Sequence, residues 1–113
     1  MIMQSDVAIF MEACDQEVHK IPSFETSNHK QVQLYMELIR EEYEELKEGY
    51  EAKDIVEVAD ACGDLIWVIL GLANSLGIPM NQVWHEIALS NMSKTVEGMV
   101  GIKSVIKRED GKI

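Results

Sequence analysis

Apolar residues recur at helical spacing along most of the chain, in four amphipathic segments separated by proline, glycine or polar residues. These segments run from about residue 6 to 19, from 29 to 50, from 55 to 76, and from 79 to 92 or 94. The connection between the second and third is short, which makes those two helices antiparallel neighbours. The pattern predicts an all-α fold, a four-helix antiparallel bundle, in a single domain over residues 1–113.

The residues at the predicted helix ends agree with these boundaries. Candidate caps and terminators are Ser5 and Asp6 for the first helix, Thr26, Ser27 or Asn28 for the second, Asp54 and Gly77 for the third, and Pro79 for the fourth. After residue 95 the chain changes character, with glycines at 98, 101 and 111 and several β-branched residues. This composition predicts an irregular tail or a short hairpin.

The third segment is almost wholly apolar or small, so we expect a helix buried on most of its circumference. It nevertheless carries Glu57, Asp60 and Asp64, whose i, i+3, i+7 spacing places them on one stripe. An unpaired buried carboxylate costs several kcal/mol unless its pKa rises or a cation binds it. Because residues 54–77 contain no lysine or arginine, the stripe predicts a divalent cation or basic groups from elsewhere.

The second helix supplies a matching pair of acids. Glu42 and Glu45 share a stripe with the apolar Leu38, so they lie at the edge of the buried face. Antiparallel packing then brings them against Glu57 and Asp60. Carboxylate oxygens suit the hard ions Mg²⁺ and Mn²⁺. The four carboxylates of Glu42, Glu45, Glu57 and Asp60, from two adjacent helices, are therefore of the kind that suits such an ion.

Several of these acids also have structural interpretations. A run of glutamates on a helix is usually a solvated face. Glu57 follows Asp54 by three residues, as in a capping box. Asp64 has alternatives as a hydrogen-bond acceptor for Tyr35, Tyr43 or a basic side chain. These alternatives remain open at the level of the sequence.

Three further residues have both a structural and a functional interpretation. Trp67 lies on the acid stripe, where it fits either the core or a wall for a nucleobase. Asn91 and Lys94 close the fourth helix, with Asn91 on its expected inward stripe. The lysine suits the negative end of the helix dipole, but both residues are also placed to reach phosphate oxygens.

The net charge of −10 argues against nucleic-acid partners and anionic membrane surfaces, which require basic patches. A phosphate substrate would need metal ions to screen the protein's own acids. Cys14 and Cys62 stand in apolar helical context, which predicts reduced, buried thiols in a cytoplasmic protein. The N-terminus lacks the pattern of a signal peptide, and the apolar run 65–73 is too short to span a bilayer.

The acids and the end of the fourth helix together form a recognisable pattern. EEYEE at 41–45, EVAD at 57–60 and SNMSK at 90–94 resemble the all-α nucleoside triphosphate pyrophosphatases of the MazG type. The motif of that superfamily is EExxE, a variable spacer and ExxD. The likeness covers nearly the whole chain, as far as KREDGK at 107–112.

The resemblance implies a MazG-like bundle that hydrolyses a nucleoside triphosphate to the monophosphate and pyrophosphate. It implies Mg²⁺, or Mn²⁺, held by the four acids already identified, and a homodimer or a homotetramer built as a dimer of dimers. In this scheme an activated water attacks the α-phosphorus, and Glu41 or Asp64 takes its proton. The predicted catalytic residues are Glu41, Glu42 and Asp64, and the predicted substrate-binding residues are Trp67, Asn91, Lys94 and Lys112.

Two other functions fit the same pattern. A phosphoribosyl-ATP pyrophosphohydrolase shares the fold and the chemistry. A non-enzymatic helical dimerisation module would carry its acids only for solubility. Dependence on Mg²⁺ and the release of pyrophosphate separate the enzymes from the module.

Overall fold

A computed structural model of the protein describes residues 1–98, 101–105 and 110–112, with side chains described for 1–95 and 110–112. The elements in chain order are α1 (Ile2–Ala13), α2 (His29–Glu51), α3 (Ile55–Leu76), α4 (Met80–Met92), β1 (Thr95–Gly98) and β2 (Gly101–Val105). The predictions of an all-α fold and of a short C-terminal hairpin are therefore confirmed. The chain forms two compact units, Met1–Met80 and Asn81–Ile113. A single domain stays a prediction.

In the first unit, α2 and α3 pack against each other in antiparallel orientation. At one end Gly49 faces Glu57, so closely that a Cβ on Gly49 would lie 3.1 Å from the Cβ of Glu57. At the other end the Gln31 side chain donates a hydrogen bond of 2.8 Å to the Ser75 hydroxyl. Residue numbers thus rise along α2 as they fall along α3, as the short connection predicted.

The core lies where α1 and α2 meet the C-terminal half of α3. Its buried apolar cluster consists of Val7, Met11, Tyr35, Val68 and Leu70. The Tyr35 ring lies directly over Gly71, where an added Cβ would come within 2.1 Å of it. The Tyr35 hydroxyl donates to Gln16 Oε1 at 2.5 Å, and burial raises the pKa of Tyr35. Gly71 is therefore fixed by close packing with the ring.

A polar network closes the same half of α3. Gln31 Nε2 donates to the Glu17 carbonyl and to the Ser75 hydroxyl, each at 2.8 Å, while Gln31 Oε1 accepts from the Glu17 amide at 2.9 Å. The Ser75 hydroxyl donates to the Gly71 carbonyl at 2.8 Å. Because Gln31 and Ser75 are buried, these bonds satisfy groups that would otherwise be costly to bury. The network ties the segment after α1 to the two long helices.

Several helix ends follow the sequence. Asn28 caps α2 by accepting from the Gln31 amide at 3.2 Å, and Asp54 caps α3 by accepting from the amides of Val56 and Glu57. Gly77 ends α3 with φ 75°, a left-handed conformation that favours glycine. The predicted boundaries of α2 and α3 are confirmed at both ends.

The prediction for α1 is wrong at both ends. The helix begins at Ile2, and the Ser5 hydroxyl donates to the Met1 carbonyl instead of capping a helix. It ends at Ala13, since Asp15 adopts φ 58° and the Gln16 amide turns back to the Met11 carbonyl at 2.9 Å. This early end directs the Gln16 side chain towards Tyr35, a tertiary contact that helical periodicity does not encode.

Two expectations of burial are also wrong. Cys14 and Cys62 are unpaired, as predicted, but both are exposed. Cys14 lies beyond the end of α1, and Cys62 is the neighbour of the buried Ala61, about 100° around α3. Nor is α3 buried on most of its circumference, because α1 and α2 are the only helices of the first unit that pack on it. Its exposed large hydrophobic residues are Ile55, Val56, Ile66, Trp67 and Ile69.

In the second unit, α4 spans the predicted residues but contains no buried residue. Asn91 is exposed, so the expectation that it lies on an inward stripe is wrong, and Trp84 and Ile87 of the same helix are exposed as well. The strands β1 and β2 pair antiparallel, with an irregularity between Val96 and Glu97. Of KREDGK, residues 107–109 lie outside the described residues.

No helix within the described ranges is long and apolar enough to cross a lipid bilayer.

Candidate metal centre

Three carboxylates from the two long helices converge beside the core, on the side nearer the α2–α3 connection. Glu42 and Glu45 lie one turn apart on α2, and Asp64 lies opposite them on α3. One carboxylate oxygen from each lies within 4.8 Å of the others. The antiparallel register produces this cluster, because it places residue 42 at the same level as residue 64.

Two further predicted acids adjoin this cluster. Asp60 lies close enough to raise the pKa of Asp64, and its negative charge also acts on Glu42. Glu57 is exposed and lines a recess of about 390 Å³ that Glu45 also lines. All four predicted metal ligands therefore lie at the same end of the α2–α3 pair, with Asp64 joining Glu42 and Glu45 at the centre.

The cluster is electrostatically unfavourable without a cation. Burial, the hydrogen bond and charge of Glu45, and the charges of Asp64 and Asp60 raise the pKa of Glu42 from 4.5 to about 7. Burial and then the charge and hydrogen bond of Asp60 raise the pKa of Asp64. A cation in contact with these groups would reverse the shifts, since it favours the charged forms.

The residues fit a hard divalent cation. Glu42 Oε2 is buried and has no hydrogen-bond partner, although an unsatisfied buried acceptor is costly. An octahedral Mg²⁺ holds opposite oxygen ligands roughly 4.2 Å apart. Oxygens within 4.8 Å of one another therefore need only small side-chain rotations to bind it. Glu42 and Glu45 with Asp64 or Asp60 would hold the ion.

Glu41 and Trp67 occupy different positions relative to the cluster. Glu41 is exposed and is not one of the three converging carboxylates. Its charge helps to raise the pKa of the neighbouring Arg40, after the larger effect of Glu37. Trp67 is partly exposed, three residues after Asp64 on α3, and its ring contacts that of Phe10. Their roles remain predictions.

The other predicted substrate-binding residues belong to the second unit. Lys94 Nζ donates to Asn91 Oδ1 at 3.3 Å, so the two side chains lie together at the C-terminal end of α4. Lys112 is exposed, and its backbone amide donates to Asp110 Oδ1 at 3.1 Å. Contact of these residues with phosphate remains a prediction.

The structure decides two of the alternative interpretations. Tyr35 does not donate a hydrogen bond to Asp64, because its hydroxyl donates to Gln16. The capping box is only half formed, because the Asp54 amide donates to the Gly49 carbonyl at 3.0 Å and not to Glu57. The Glu57 carboxylate is therefore left for the recess beside the cluster.

Three residues near the site were not predicted from the sequence. Glu48 and Asp54 line the recess together with Glu57, although the sequence indicated only a capping role for Asp54 and no role for Glu48. The three-residue spacing from Glu45 to Glu48 was the available signal. Phe10 contacts Trp67 on the surface, and nothing in the sequence pointed to that contact.

The chain is similar in sequence to known proteins over the helices that carry the acids. An uncharacterized protein, L479, of Acanthamoeba polyphaga mimivirus is 33% identical over 67 residues, which cover 59% of this chain. The match spans only 26% of that relative's length. The profile of the phosphoribosyl-ATP pyrophosphohydrolase family matches residues 7–91, a range that includes α2, α3 and every acid of the cluster. The chain therefore belongs to the phosphoribosyl-ATP pyrophosphohydrolase family.

Proposed function

We propose that the protein is a metal-dependent pyrophosphohydrolase that converts a nucleoside triphosphate to the monophosphate and pyrophosphate, in control or cleansing of the nucleotide pool. The observation that carries the proposal is the convergence of Glu42, Glu45 and Asp64 within 4.8 Å, with Glu42 Oε2 lacking a partner. Family membership supports a reaction at a pyrophosphate bond. A protein of charge −10 needs a cation to accept such an anionic substrate.

The positions of the acids suggest separate roles in metal binding and proton transfer. Glu42, Glu45 and Asp60 would hold Mg²⁺ or Mn²⁺, with Glu57 at the edge. When bound, the ion supplies charge neutralisation for the phosphates and lowers the pKa of a coordinated water. Asp64 is the better placed of the two candidate bases, since it lies inside the cluster and Glu41 does not. Asp64 would accept the proton of the water that attacks the α-phosphorus.

The reaction products test this proposal. We expect the protein with millimolar Mg²⁺ or Mn²⁺ to release pyrophosphate, and not orthophosphate, from some member of a panel of canonical and damaged nucleoside triphosphates. EDTA should abolish the release. Glu44→Gln, which removes an exposed charge from the same helix, serves as a matched control. A protein that neither binds Mg²⁺ nor cleaves any nucleotide would be a dimerisation module.

Phosphoribosyl-ATP is a second candidate substrate, and the family match favours it specifically. The cluster suits both substrates, because each presents an α–β phosphoanhydride. A competition between phosphoribosyl-ATP and ATP at equal concentration separates them. Faster consumption of phosphoribosyl-ATP would assign the protein to that reaction.

We also propose that Asn91, Lys94 and Lys112 supply phosphate contacts, as cationic or amide donors suit phosphate oxygens. Lys94→Ala should then lower kcat/KM without lowering the melting temperature, because the residue lies at a helix end. Unchanged kinetics would leave Lys94 as a surface lysine.

A homodimer or a homotetramer is part of the proposal. The first unit exposes apolar side chains from all three of its helices, including Ile9 of α1, Met36 of α2 and Ile66 of α3. Exposed apolar area on this scale marks an interaction surface. Light scattering at micromolar concentration should give a mass of two or four chains, and a monomer would contradict the proposal.

A further inference from the structure

The helices α2 and α3 face each other at three levels that repeat every seven residues on both helices. The facing pairs are Tyr35 with Gly71, Glu42 with Asp64, and Gly49 with Glu57. Seven residues are about two helical turns, so successive levels lie roughly 10 Å apart. The acids of the middle level therefore lie between two close helix contacts, each of which involves a buried glycine.

The contact at Gly49 is made largely with the backbone of α3. A Cβ at this position would lie 3.1 Å from the Glu57 Cβ, 3.3 Å from the Val58 amide nitrogen and 3.4 Å from the Glu57 carbonyl carbon. No rotation of a side chain relieves contacts with backbone atoms. The Asp54 amide also donates to the Gly49 carbonyl at 3.0 Å, which holds the beginning of α3 against the same residue. A side chain at position 49 would therefore displace the first turn of α3 as a unit.

The size of that displacement follows from ordinary packing distances. Carbon atoms pack at roughly 3.5–4.0 Å, so a Cβ at 3.1 Å would separate the helices by several tenths of an ångström. The other end of the pair is held by the Tyr35 ring over Gly71 and by the hydrogen bond from Gln31 to Ser75. The separation would therefore decrease along the pair, and about half of it would reach Glu42, seven residues before Gly49.

A change of this size distinguishes one hard cation from another. Mg²⁺ binds oxygen ligands at roughly 2.0–2.1 Å and demands near-ideal octahedral geometry. Ca²⁺ binds them at roughly 2.3–2.6 Å and tolerates irregular geometry. The two bond lengths differ by a few tenths of an ångström, which is also the scale of the separation that a side chain at position 49 would impose.

We propose that Gly49 is a positioning residue that sets the spacing of the acids on α2 and α3, and that its close contact makes the metal centre selective for Mg²⁺ over the larger Ca²⁺. The inference rests on the proposed function, since it concerns the metal centre of the same reaction. Gly49 has no side chain to offer a ligand atom. It acts through Glu45, one turn earlier on α2, and through Glu57, which it faces.

Melting temperatures measured against the concentration of each cation, without nucleotide, test the inference. Wild type should reach half of its stabilisation at a lower concentration of Mg²⁺ than of Ca²⁺. We expect Gly49→Ala to raise the Mg²⁺ concentration required about 10- to 100-fold, as the loss of groups that orient metal ligands does elsewhere. The Ca²⁺ concentration required should change much less, because Ca²⁺ coordination is flexible.

Gly63→Ala is the matched control, because a Cβ at that helical glycine of α3 meets nothing within 4 Å. It should leave the concentrations of both cations unchanged. The melting temperature without cations is not the measure, since the helix propensity of alanine offsets part of the cost of separating the helices. Circular dichroism should show the same helix content in both variants and wild type.

The ratio of the two cation concentrations separates positioning from simple packing. Equal weakening of Mg²⁺ and Ca²⁺ in Gly49→Ala, or no weakening of either, would overturn the inference. If Gly49→Ala does not fold, wild type still decides, because equal or tighter binding of Ca²⁺ would overturn the selectivity. Selective Mg²⁺ binding that Gly49→Ala loses, without hydrolysis of any triphosphate, would contradict the proposed function and keep this inference. Hydrolysis by wild type with an unshifted ratio in Gly49→Ala would do the reverse.

Discussion

The two halves of α3 contrast sharply although they belong to one helix. The C-terminal half, from Val68 to Gly77, is mostly buried, fits small residues against α2, and has its polar side chains in hydrogen bonds. The N-terminal half exposes Ile55 and Val56 and carries three acids. One of its partners on α2, Glu42, has a buried oxygen without a hydrogen-bond partner.

The difference shows which half of α3 stabilises the fold and which half lowers its stability. The C-terminal half, called the closed half below, gains stability from close packing and from satisfied buried polar groups. The N-terminal half with its acids is called the open half. The open half keeps like charges together, and burial followed by the repulsion of the neighbouring acids raises the pKa values of Glu42 and Asp64. Acids held in an unfavourable arrangement are typical of a site prepared for a cation.

The largest expected effect is on activity in the open half. Glu42→Gln removes the acid at the centre of the cluster, and we expect kcat/KM to fall about 100- to 1,000-fold, equivalent to roughly 3–4 kcal/mol. In EDTA at pH 8 the same variant should melt above wild type, because one repelling charge is gone. Glu44→Gln should change neither. A Glu42→Gln variant that melts lower in EDTA would show that Glu42 is a structural residue.

The next largest effect is on stability in the closed half. Gly71→Ala places a methyl group where the Tyr35 ring lies, 2.1 Å away, and we expect a loss of about 3 kcal/mol in the free energy of unfolding. Gly63→Ala is the matched control, because a Cβ there meets nothing within 4 Å. In a helix interior that change should stabilise by roughly 0.5–1 kcal/mol. Urea denaturation measures both, and equal effects would contradict the contrast between the halves.

The pH dependence of stability should show that the ionised acids of the open half destabilise the fold. The folded pKa of Glu42 is raised to about 7 from 4.5, so its stabilising contribution is fully present below about pH 4.5 and is lost as pH rises through 7. The shift of Asp64 has the same direction. In EDTA, the melting temperature of wild type relative to Glu42→Gln should therefore fall between pH 5 and 8.

Added Mg²⁺ should reverse that loss. At 100 times its dissociation constant a ligand adds about 2.7 kcal/mol to the folded state. The melting temperature of wild type at pH 8 should rise with Mg²⁺, and that of Glu42→Gln should rise much less. Equal responses of the two proteins would place the Mg²⁺ elsewhere.

The smallest of these effects is expected in the polar network of the closed half. Gln31→Leu removes the partner of the Glu17 backbone groups and of the Ser75 hydroxyl, and we expect it to cost about 2 kcal/mol. Because the residue is remote from the acids, kcat/KM should not change. Thermal melting and kinetics on one preparation check both statements, and a loss of activity at full stability would link the two halves.

The sequence determined the elements and the chemistry of the acids. Asn28, Asp54 and Gly77 mark helix ends through local hydrogen bonds and backbone conformation, which depend on residues close in the chain. The stripe Glu57, Asp60 and Asp64 follows from helical spacing alone. The antiparallel pairing with Glu42 and Glu45 follows from a short connection.

Only the tertiary structure decided the end of α1, the exposure of the cysteines and the contact between Phe10 and Trp67. Each depends on which helices cover which faces, and those contacts join residues far apart in the chain. The same holds for the grouping of Asp64 with Glu42 and Glu45, since the rotation of α3 about its axis sets which acid is central. Local spacing fixes the stripe on which an acid lies, whereas packing fixes what that stripe faces.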